Sequence, residues 1–428
     1  MKKLPVLKSG DRTPYTDLVQ TALNRAGFPV TTDGAFGEKT QTAVRRFQAT
    51  RGLLQDGIVG DNTWNRLAPY LRGYFSYTIR PGQTLWKIAA ANGASVDAIT
   101  AANPQVRPEY LVPGTQLIIP LHFDLFSDKI RVSSAYMHFF ASGLSARHPF
   151  IQTDSVGQSV SGREIYAMKI GSGAREVFVN ASHHANEWIT TSLCMKYIES
   201  YAKAYAFGGS IYGISAKAMY DRASLYMIPL VNPDGVNLVT GAAEHSPGEY
   251  ATAKVIAGDF PEIPFTGGWK ANIAGTDPNL QYPAGWEQAK EIKYAQGFTK
   301  PAPRDFVGPG PLTAPESLAV YNFTLRHNFA LTLSYHTQGE VIYWKYDGFE
   351  PEGSYDVARL FADVSGYALD LTPAESGNAG YKDWFIASYN RPGYTIECGK
   401  GIAPIPLTQL DTIYRQNEGI LTLAQVLQ

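Results

Sequence analysis

The chain contains 428 residues, carries a formal net charge of −1, and is 44% hydrophobic and 18% charged. This is the composition of a globular protein of roughly two to four domains. The near-neutral charge excludes nucleic acid or an anionic membrane as a partner held by bulk charge. No stretch reaches the ~18 apolar residues of a membrane span, and the basic start of the chain lacks a signal peptide's apolar core. We therefore expect cytoplasmic synthesis, no nucleic-acid partner and no membrane span.

Residues 1–73 contain an internal repeat. The segments 33–40 and 56–63 both place Asp-Gly, a second Gly and a Thr at the same offsets, and each leads into a helical pattern. The repeat predicts a tight glycine turn followed by a Thr-capped or Asp-capped helix. A further helix is predicted from residue 18 to 26. The segment resembles the small three-helix peptidoglycan-binding module, and a generic helical dimerisation module is the alternative.

Residues 74–121 form a second small unit. The sequence predicts a strand, a Pro-Gly turn and a helix over 77–89, then a helix over 96–102 and a closing strand within 111–120. This β-α-α-β order with two Pro-Gly turns resembles a LysM module, which implies binding to glycans that contain N-acetylglucosamine. Residues 122–132 are predicted to be a linker.

Residues 133–428 alternate strand-like and helix-like runs, which predicts an α/β domain with a mixed twisted sheet flanked by helices. Four of the strand-like runs lead directly into polar groups that suit catalysis or site bracing. They are 176–179 before His184, 225–231 before Asn232, 329–335 before His336 and 394–396 before Glu397. Residues 247–310 are rich in Pro, Gly and Trp and are predicted to form long surface loops.

His184, Glu187 and His336 have the composition of a catalytic zinc site, which needs three protein ligands and one open position for water. Glu397, at another strand end, is the candidate general base. It would take a proton from the attacking water and pass it to the leaving amine. A histidine without such partners, such as His183, is expected to be structural. We therefore predict one Zn²⁺ per chain.

Six motifs occur in the order that they have in the zinc metallocarboxypeptidase family, which this segment resembles. They are 162–163, 184–188, 232–235, 275–279, 334–336 and 395–397. Within that family, segments 269–272, 281–286 and 399–401 most resemble the γ-D-glutamyl-L-diamino-acid endopeptidases of spore-forming bacteria. The resemblance implies hydrolysis of the γ-D-Glu–diaminopimelate bond in peptidoglycan stem peptides, with glycan strands bound by the N-terminal modules. It leaves open a mother cell or forespore as the compartment, and the wall or recycled muropeptides as the target.

The resemblance also implies roles for individual residues. The His/Glu/His set binds zinc and Glu397 is the base. Asp277 matches the carboxylate that hydrogen-bonds the first zinc histidine and fixes its tautomer. Lys270 stands where carboxypeptidases have an Arg that polarises the scissile carbonyl, and a Lys can act there as a point charge. Asn279 matches the Asn of the clamp that binds a terminal carboxylate.

The sequence departs from the family pattern in the carboxylate clamp. The family pairs the clamp Asn with an Arg, but Leu280 follows Asn279 here. An exposed C-terminal carboxylate would lose its bidentate partner, which favours a branched substrate held differently. Lys382, Arg391 and Lys400 are candidate replacements.

Two further departures concern the rest of the substrate site. The family's mobile Tyr has no match within 372–377, and Tyr381 is nearby but offset. Asn186 replaces an Arg often seen in the first zinc motif. Asp383 falls near the family's specificity pocket, and we predict that it contacts an amino group of diaminopimelate.

Two other functions remain as alternatives. One is a metallocarboxypeptidase acting on ordinary peptides, and the other is a non-catalytic wall-binding protein. The two cysteines, Cys194 and Cys398, have no metal-binding or redox spacing. They are predicted to be buried free thiols, with a disulfide between them as the alternative.

Overall fold

The structure is a computed structural model that describes residues 3–427. The chain divides into two compact units. The first contains the chain up to Arg131 together with Ala135–Thr153, and the second contains Val132–Ser134 and the chain from Asp154 onward. This division does not test the predicted boundaries between the binding modules, the linker and the catalytic domain, which stay a prediction.

The first unit begins with a helical region and continues with a small two-stranded sheet, which is the predicted order. Its elements are α1 (Pro14–Arg25), α2 (Glu38–Thr50), α3 (Asp61–Arg72), β1 (Tyr74–Thr78), α4 (Leu85–Asn92), α5 (Val96–Ala102), β2 (Gln116–Pro120) and, from Ala135 onward, α6 (Ser134–Arg147). Strands β1 and β2 pair antiparallel. Helices α4 and α5 lie between them in sequence, so the β-α-α-β order is confirmed.

The internal repeat forms two equivalent hydrogen-bonded turns. The amide of Gln20 donates to Asp33 Oδ1 at 2.8 Å and to Thr40 Oγ1 at 3.1 Å. Gln48 makes the same pair of bonds in the second copy, at 2.9 and 3.1 Å. The predicted Thr or Asp caps are therefore wrong. A glycine occupies the N-cap of both α2 and α3, because the Asp and Thr side chains bond to the glutamines instead.

The second unit contains the main sheet and most of the helices. Its main-sheet strands are β3 (Gln152–Gln158), β4 (Glu164–Ile170), β5 (Arg175–Ala181), β8 (Ala223–Ile228), β9 (Phe329–His336), β10 (Val341–Tyr343), β11 (Ala368–Asp370) and β12 (Gly393–Glu397), with a small pair β6 (Ser210–Ile211) and β7 (Ile214–Ser215). Its helices are α7 (Ile189–Ala206), α8 (Ala216–Arg222), α9 (Pro233–Thr240), α10 (Pro247–Gly258), α11 (Trp286–Ala295), α12 (Pro315–Leu325), α13 (Ser354–Ser365), α14 (Tyr381–Tyr389) and α15 (Leu410–Val426).

The main sheet has eight strands in the order β11-β10-β12-β9-β5-β8-β4-β3. The central strand β5 is parallel to β8 and β9, and β9 is parallel to β12. Strand β10 is antiparallel to β12, and β4 is antiparallel to β8. The predicted α/β class with a mixed sheet is therefore confirmed.

The parallel strands β5, β9 and β12 bring the candidate catalytic groups to one edge of the sheet. Ala181, the last residue of β5, pairs with Tyr335 on β9. His336 pairs with Glu397, and these two residues end β9 and β12. Carboxyl ends of neighbouring parallel strands are a usual position for ligand sites in open α/β sheets.

The predicted long surface loops over 247–310 are wrong in part, because this segment contains helices α10 and α11. Pro247 occupies the first position of α10, and Gly258 is its last residue. Gly285 is the N-cap of α11 with φ +69°. Proline and glycine therefore mark the helix boundaries here rather than a loop.

Cys194 and Cys398 are buried free thiols, as predicted. Among the described residues, no helix is both long and apolar enough to span a membrane.

Candidate active site

A strained turn between β5 and α7 presents His184 and Glu187 to the sheet edge. Ser182 has φ +53°, and its backbone N–H donates to Thr190 Oγ1 at 3.1 Å. The Ser182 hydroxyl lies 2.8 Å from Thr191 Oγ1. A 3₁₀ helix, Ala185–Glu187, follows, so His184 at its N-cap and Glu187 three residues later face the same side. Hydroxyls from α7 thus hold a backbone conformation that would otherwise be unfavourable.

Three side chains converge in the geometry of a metal site. The Nδ1 atoms of His184 and His336 each lie 2.9 Å from a different oxygen of Glu187, and 3.2 Å from each other. Ligand atoms bound at ~2.0–2.1 Å in a tetrahedral zinc site are separated by ~3.3 Å. The donor set and its spacing therefore fit zinc. Among the described residues, no other set of three or more His, Cys, Asp or Glu side chains has such an arrangement.

Asp277 orients the first of these histidines. Its Oδ1 lies 3.3 Å from His184 Nε2, which leaves Nδ1 directed at Glu187. Backbone N–H groups of Asn279 and Asp305 donate to the Asp277 carboxylate at 3.0 and 3.2 Å. Burial by itself lowers the pKa of His184, but the charges of Glu187 and Asp277 outweigh it and raise the pKa to about 9. The cluster therefore has the electrostatics to stabilise a cation.

His183 lies outside this cluster, as expected for a structural histidine. Its Nε2 is 2.9 Å from the hydroxyl of Tyr282, and its side chain is fully buried. Burial, and to a lesser degree the neighbouring histidines, hold the pKa of His183 well below its usual value.

Glu397 and Lys270 line the same cavity as the metal cluster, and the cavity has a volume of about 190 Å³. Burial and the charge of Glu187 raise the pKa of Glu397 to about 8. The Nζ atom of Lys270 lies 3.3 Å from Glu187 Oε1, and its side chain is 21% exposed. A carboxyl group and an ammonium group therefore line the cavity beside the His184, Glu187 and His336 cluster.

The motif 232–235 braces the site. The Asn232 amide donates to the backbone oxygens of His183, at 3.1 Å, and Ala271, at 2.9 Å. One side chain thus ties the turn that carries His184 to the loop that carries Lys270. Asn232 also caps α9, since its Oδ1 accepts from the backbone N–H of Gly235.

The structure brings two of the three predicted substrate-binding residues to the cavity. Asn279 and Asp383 are part of the lining, and Lys400 is not. Asp383 accepts from the backbone N–H of Gly380 at 3.2 Å and pairs with Lys382 at 2.7 Å. The side chain of Lys400 is 73% exposed, and its Nζ lies 2.7 Å from Glu340. The assignment of these residues to substrate binding stays a prediction.

The other candidate replacements have structural partners of their own. Arg391 donates to the backbone oxygen of Phe329 at 2.8 Å and does not line the cavity. Lys382 lines the cavity but donates to the backbone oxygen of Lys345 at 2.8 Å. The hydroxyl of Tyr381 lies 3.0 Å from Thr324 Oγ1 inside the core, so this ring does not correspond to a mobile tyrosine.

Four cavity residues with ionisable side chains were missed at the level of sequence: Lys293, Arg304, Asp305 and Tyr343. Lys293 and Arg304 lie within the segment that was interpreted as surface loops. The one sequence signal for Arg304 and Asp305 is that this charged pair directly follows Pro303. A proline restricts the backbone, so the pair that follows it has a more defined position.

The fold and this cluster define a metallopeptidase site, and comparison with known proteins identifies its family. The profile described as zinc carboxypeptidase matches residues 137–401, more than half of the chain. The chain belongs to the zinc carboxypeptidase family and is a zinc metallopeptidase. A peptidoglycan binding domain profile matches residues 14–67, and the LysM domain profile matches residues 77–120.

Two curated relatives are similar to about two thirds of the chain. Gamma-D-glutamyl-L-diamino acid endopeptidase 1 of Lysinibacillus sphaericus is 42% identical over 279 residues, covering 65% of this chain and 68% of the relative. Uncharacterized protein YqgT of Bacillus subtilis is 40% identical over 275 residues, covering 64% and 71%. Among solved structures, carboxypeptidase A from Helicoverpa armigera has a TM-score of 0.54 at 15% identity, covering 92% of this chain and 88% of that one. That likeness shows the carboxypeptidase-like fold.

Proposed function

We propose that this protein hydrolyses the γ-D-glutamyl–diaminopimelate bond of peptidoglycan stem peptides. The proposal is supported by the 42% identity to a relative named for γ-D-glutamyl-L-diamino acid endopeptidase activity. It is also supported by the peptidoglycan-binding and LysM modules that precede the catalytic unit. These modules bind the glycan strands, and the stem peptide enters the cavity.

The observation that carries this proposal is a zinc carboxypeptidase site in which Leu280 replaces the clamp arginine. A free C-terminal carboxylate of an ordinary peptide would meet an apolar side chain there instead of a guanidinium fork. That disfavours a carboxypeptidase acting on ordinary peptides. The convergence of both histidines and both glutamates in one cavity disfavours a non-catalytic wall-binding protein, since buried charges are costly unless they are used or paired.

In the proposed mechanism His184, Glu187 and His336 would hold one zinc ion per chain. When bound, zinc supplies a Lewis acid that acidifies water and polarises the substrate carbonyl. Glu397 accepts a proton from the attacking water and passes it to the leaving amine. Lys270 stabilises the negative charge that develops on the carbonyl oxygen, as a point charge rather than a fork.

The wall-binding modules act by raising the local concentration of substrate. Tethering a second binding event to the first increases overall avidity without any change in the chemistry. We propose that the enzyme is made in the cytoplasm and acts on the wall or on muropeptides derived from it. The resemblance to enzymes of spore-forming bacteria extends the proposal to a role in sporulation.

Asp383 is proposed to contact the side-chain amine of diaminopimelate. Replacing Asp383 with Asn keeps an acceptor for Gly380 but removes the charge that the amine would meet. We expect KM to rise more for diaminopimelate peptides than for analogues without the side-chain amine. Equal changes for both substrates would remove Asp383 from the substrate site.

Mass spectrometry of a synthetic tripeptide, L-Ala-γ-D-Glu-diaminopimelate, tests the reaction. We expect release of free diaminopimelate from this peptide. The matched control is the same peptide with an α-linked glutamate, which is the type of linkage that an ordinary carboxypeptidase cuts. Cleavage of the α-linked peptide at the same or a higher rate would contradict the proposed function.

A further inference from the structure

The cavity contains a cation that the family motifs do not account for. Arg304 lines the cavity together with His184, Glu187 and Asp277, and its side chain is 40% exposed. Its Nε lies 2.5 Å from Asp305 Oδ2. Among the described residues, its two terminal nitrogens have no hydrogen-bond partner. The guanidinium is therefore held at one edge and presents its outer N–H groups to the cavity.

Backbone hydrogen bonds on both sides fix the position of Arg304. The backbone oxygen of Pro303 accepts from the N–H groups of Lys270, at 2.8 Å, and Ala271, at 2.9 Å. On the other side, the N–H of Asp305 donates to the Asp277 carboxylate at 3.2 Å. The backbone around Arg304 is thus bonded on one side to the loop of Lys270 and on the other side to the carboxylate that orients His184. The backbone on both sides of Arg304 is therefore fixed, and Asp305 holds its side chain at Nε.

Asp305 supplies a second constraint, since it holds Arg304 and Lys293 together. The Nζ atom of Lys293 lies 2.8 Å from Asp305 Oδ1, and the Lys293 side chain is 7% exposed. Asp305 has φ +65°, a left-handed conformation that is unfavourable for a residue other than glycine. Such strain persists only where the surroundings impose it, and it is concentrated at functional sites. Two cations thus share the Asp305 carboxylate at this wall of the cavity, and Asp277 and Glu187 are the next negative charges that act on Arg304.

This wall adjoins the position where the clamp arginine is missing. Leu280 packs against Trp286 and Ala289 on α11. Lys293 follows Ala289 by one helical turn on the same face of α11. Leu280, Lys293 and Arg304 all line the cavity. Two basic side chains therefore line the same cavity as residue 280, where the clamp arginine is missing.

We infer that Arg304 is a specificity-determining residue that binds a carboxylate of the stem peptide, with Asp305 and Lys293 as positioning residues. The inference rests on the proposed function. A γ-linked glutamate keeps its α-carboxylate free beside the scissile amide, and diaminopimelate carries carboxylates on the leaving side. Either of these carboxylates offers two oxygens to the outer N–H groups of a guanidinium, which binds carboxylates through paired hydrogen bonds.

Steady-state kinetics on three substrates tests this role and identifies the carboxylate. The substrates are L-Ala-γ-D-Glu-diaminopimelate, the same peptide with the α-carboxylate of D-Glu amidated, and the same peptide with the carboxylates of diaminopimelate amidated. For Arg304→Gln we expect kcat/KM on the unmodified tripeptide to fall ~100-fold, mainly through KM, as for loss of one charge-assisted pair. The loss should persist with one amidated substrate and vanish with the other, whose missing carboxylate is the one that Arg304 binds.

Two variants separate this contact from general effects. Arg326→Gln removes the same charge from an exposed position outside the cavity and should behave as wild type. Asp305→Asn should raise KM for substrates that carry the recognised carboxylate, with kcat unchanged and no effect on the substrate that lacks it. Equal losses for Arg304→Gln on all three substrates, or no loss on any, would overturn the inference.

Calorimetric binding separates failure of this inference from failure of the proposed function. Tripeptide binding is measured on Glu397→Gln and on Glu397→Gln with Arg304→Gln. If the wild type does not cut the γ bond, the proposed function fails, yet weaker binding by the double variant would still support the role of Arg304. If the wild type cuts and both proteins bind equally, this inference alone fails. If the tripeptide neither is cut nor binds, both fail.

Discussion

Asp277 connects the metal cluster to the rest of the site at the scale of single residues. It contacts His184 Nε2 and accepts two backbone N–H bonds, so it fixes both the ring orientation and the tautomer. For Asp277→Asn we expect zinc affinity to fall by ~10–100-fold, because a carboxylate partner raises the basicity of the ligating imidazole. Competition with a chromogenic chelator measures this. The exposed Asp363→Asn is the control, and unchanged affinity in Asp277→Asn would contradict the assignment.

The sequence predicted the groups of the metal cluster because each one follows directly from the end of a strand. His184 and Glu187 lie just after β5, and His336 and Glu397 end β9 and β12. Once these strands are parallel neighbours, their carboxyl ends must meet, so sequence order and strand pattern together predict proximity. Arg304 could not be found this way, because it belongs to no strand and its position depends on backbone bonds from Pro303.

The predicted substrate-binding residues show what a motif cannot convey. Lys400 is a candidate replacement for the clamp arginine by sequence, but the turn after β12 directs this side chain to Glu340. Asp383 does reach the cavity, yet it also binds the backbone N–H of Gly380 at the start of α14. Side-chain direction after a strand depends on tertiary partners that lie far away in the sequence.

At the scale of elements, α9 begins in close packing near the site. A Cβ atom on Gly235 would lie 2.6 Å from the backbone oxygen of Ala271 and 2.8 Å from the Cβ of Ala185. Both neighbours belong to the loops that carry His184 and Lys270. For Gly235→Ala we expect the free energy of unfolding to fall by ~1–3 kcal/mol, as for other overpacked sites. Activity should fall as well, because the loops of Lys270 and His184 must move apart.

A second glycine provides the matched control for this change. Gly248 lies in the first turn of α10, and a Cβ atom there would meet nothing within 4 Å. Gly248→Ala should leave activity unchanged and stabilise the protein by up to ~1 kcal/mol, since it reduces the entropy of the unfolded chain. Thermal unfolding of both variants checks the pair. Equal behaviour of the two would contradict the packing argument.

Helix α12 introduces a pH-dependent contribution to stability through Glu316. This buried carboxyl accepts from the backbone N–H of Val160 and from the Asn272 amide, at 3.1 and 3.0 Å. Burial, and to a smaller degree the charge of Asp234, raise the pKa of Glu316 from 4.5 to about 7. The two hydrogen bonds oppose this rise but do not cancel it. The folded state therefore holds the proton more tightly than the unfolded state. Its stabilising contribution is complete below about pH 4.5 and is lost as the pH rises through about 7.

Replacing Glu316 with Gln tests this linkage. We expect the drop in Tm between pH 5 and pH 8 to be smaller in Glu316→Gln than in the wild type, because the variant has no proton to lose. Glu291→Gln, on the exposed side of α11, controls for the loss of a carboxylate. A wild-type slope in Glu316→Gln would contradict the argument.

The elements around 247–310 illustrate the limit of composition as a guide. Its prolines and glycines suggested loops, but Pro247 begins α10 and Gly285 is the N-cap of α11. Within α11, Trp286, Ala289 and Lys293 are the buried positions, which is helical spacing. A short helix with a single charged residue on its buried face is hard to distinguish from a loop by pattern, because its burial depends on partners elsewhere.

At the scale of the whole molecule, wall binding and catalysis are carried by different parts of the chain. In the LysM region, Trp86 and Tyr110 are 71% and 75% exposed, which is unusual for large aromatic rings. Aromatic faces of this kind stack on sugar rings. For Trp86→Ala we expect binding to insoluble peptidoglycan to weaken by ~3–10-fold, the size of one aromatic contact.

The same variant should cut the soluble tripeptide at the wild-type rate. Leu325→Ala, which removes an exposed side chain from the end of α12, is the control for surface apolarity. Pelleting with purified sacculi measures binding, and mass spectrometry measures the cut. A Trp86→Ala variant that loses activity on the soluble tripeptide would contradict the assignment of wall binding to the modules and of catalysis to the catalytic unit.

The central claim is that the cluster around His184 holds zinc and that Glu397 performs the proton transfers. The most direct measurement is digestion of purified muropeptides by the wild type and by Glu397→Gln, with zinc content determined on the same samples. We expect equal zinc in both proteins, cleavage after D-Glu by the wild type, and a ~10²–10⁴-fold lower rate for the variant, as for loss of a general base. A zinc-loaded wild type that leaves the γ bond intact, or a Glu397→Gln variant that cuts it at the wild-type rate, would contradict the account.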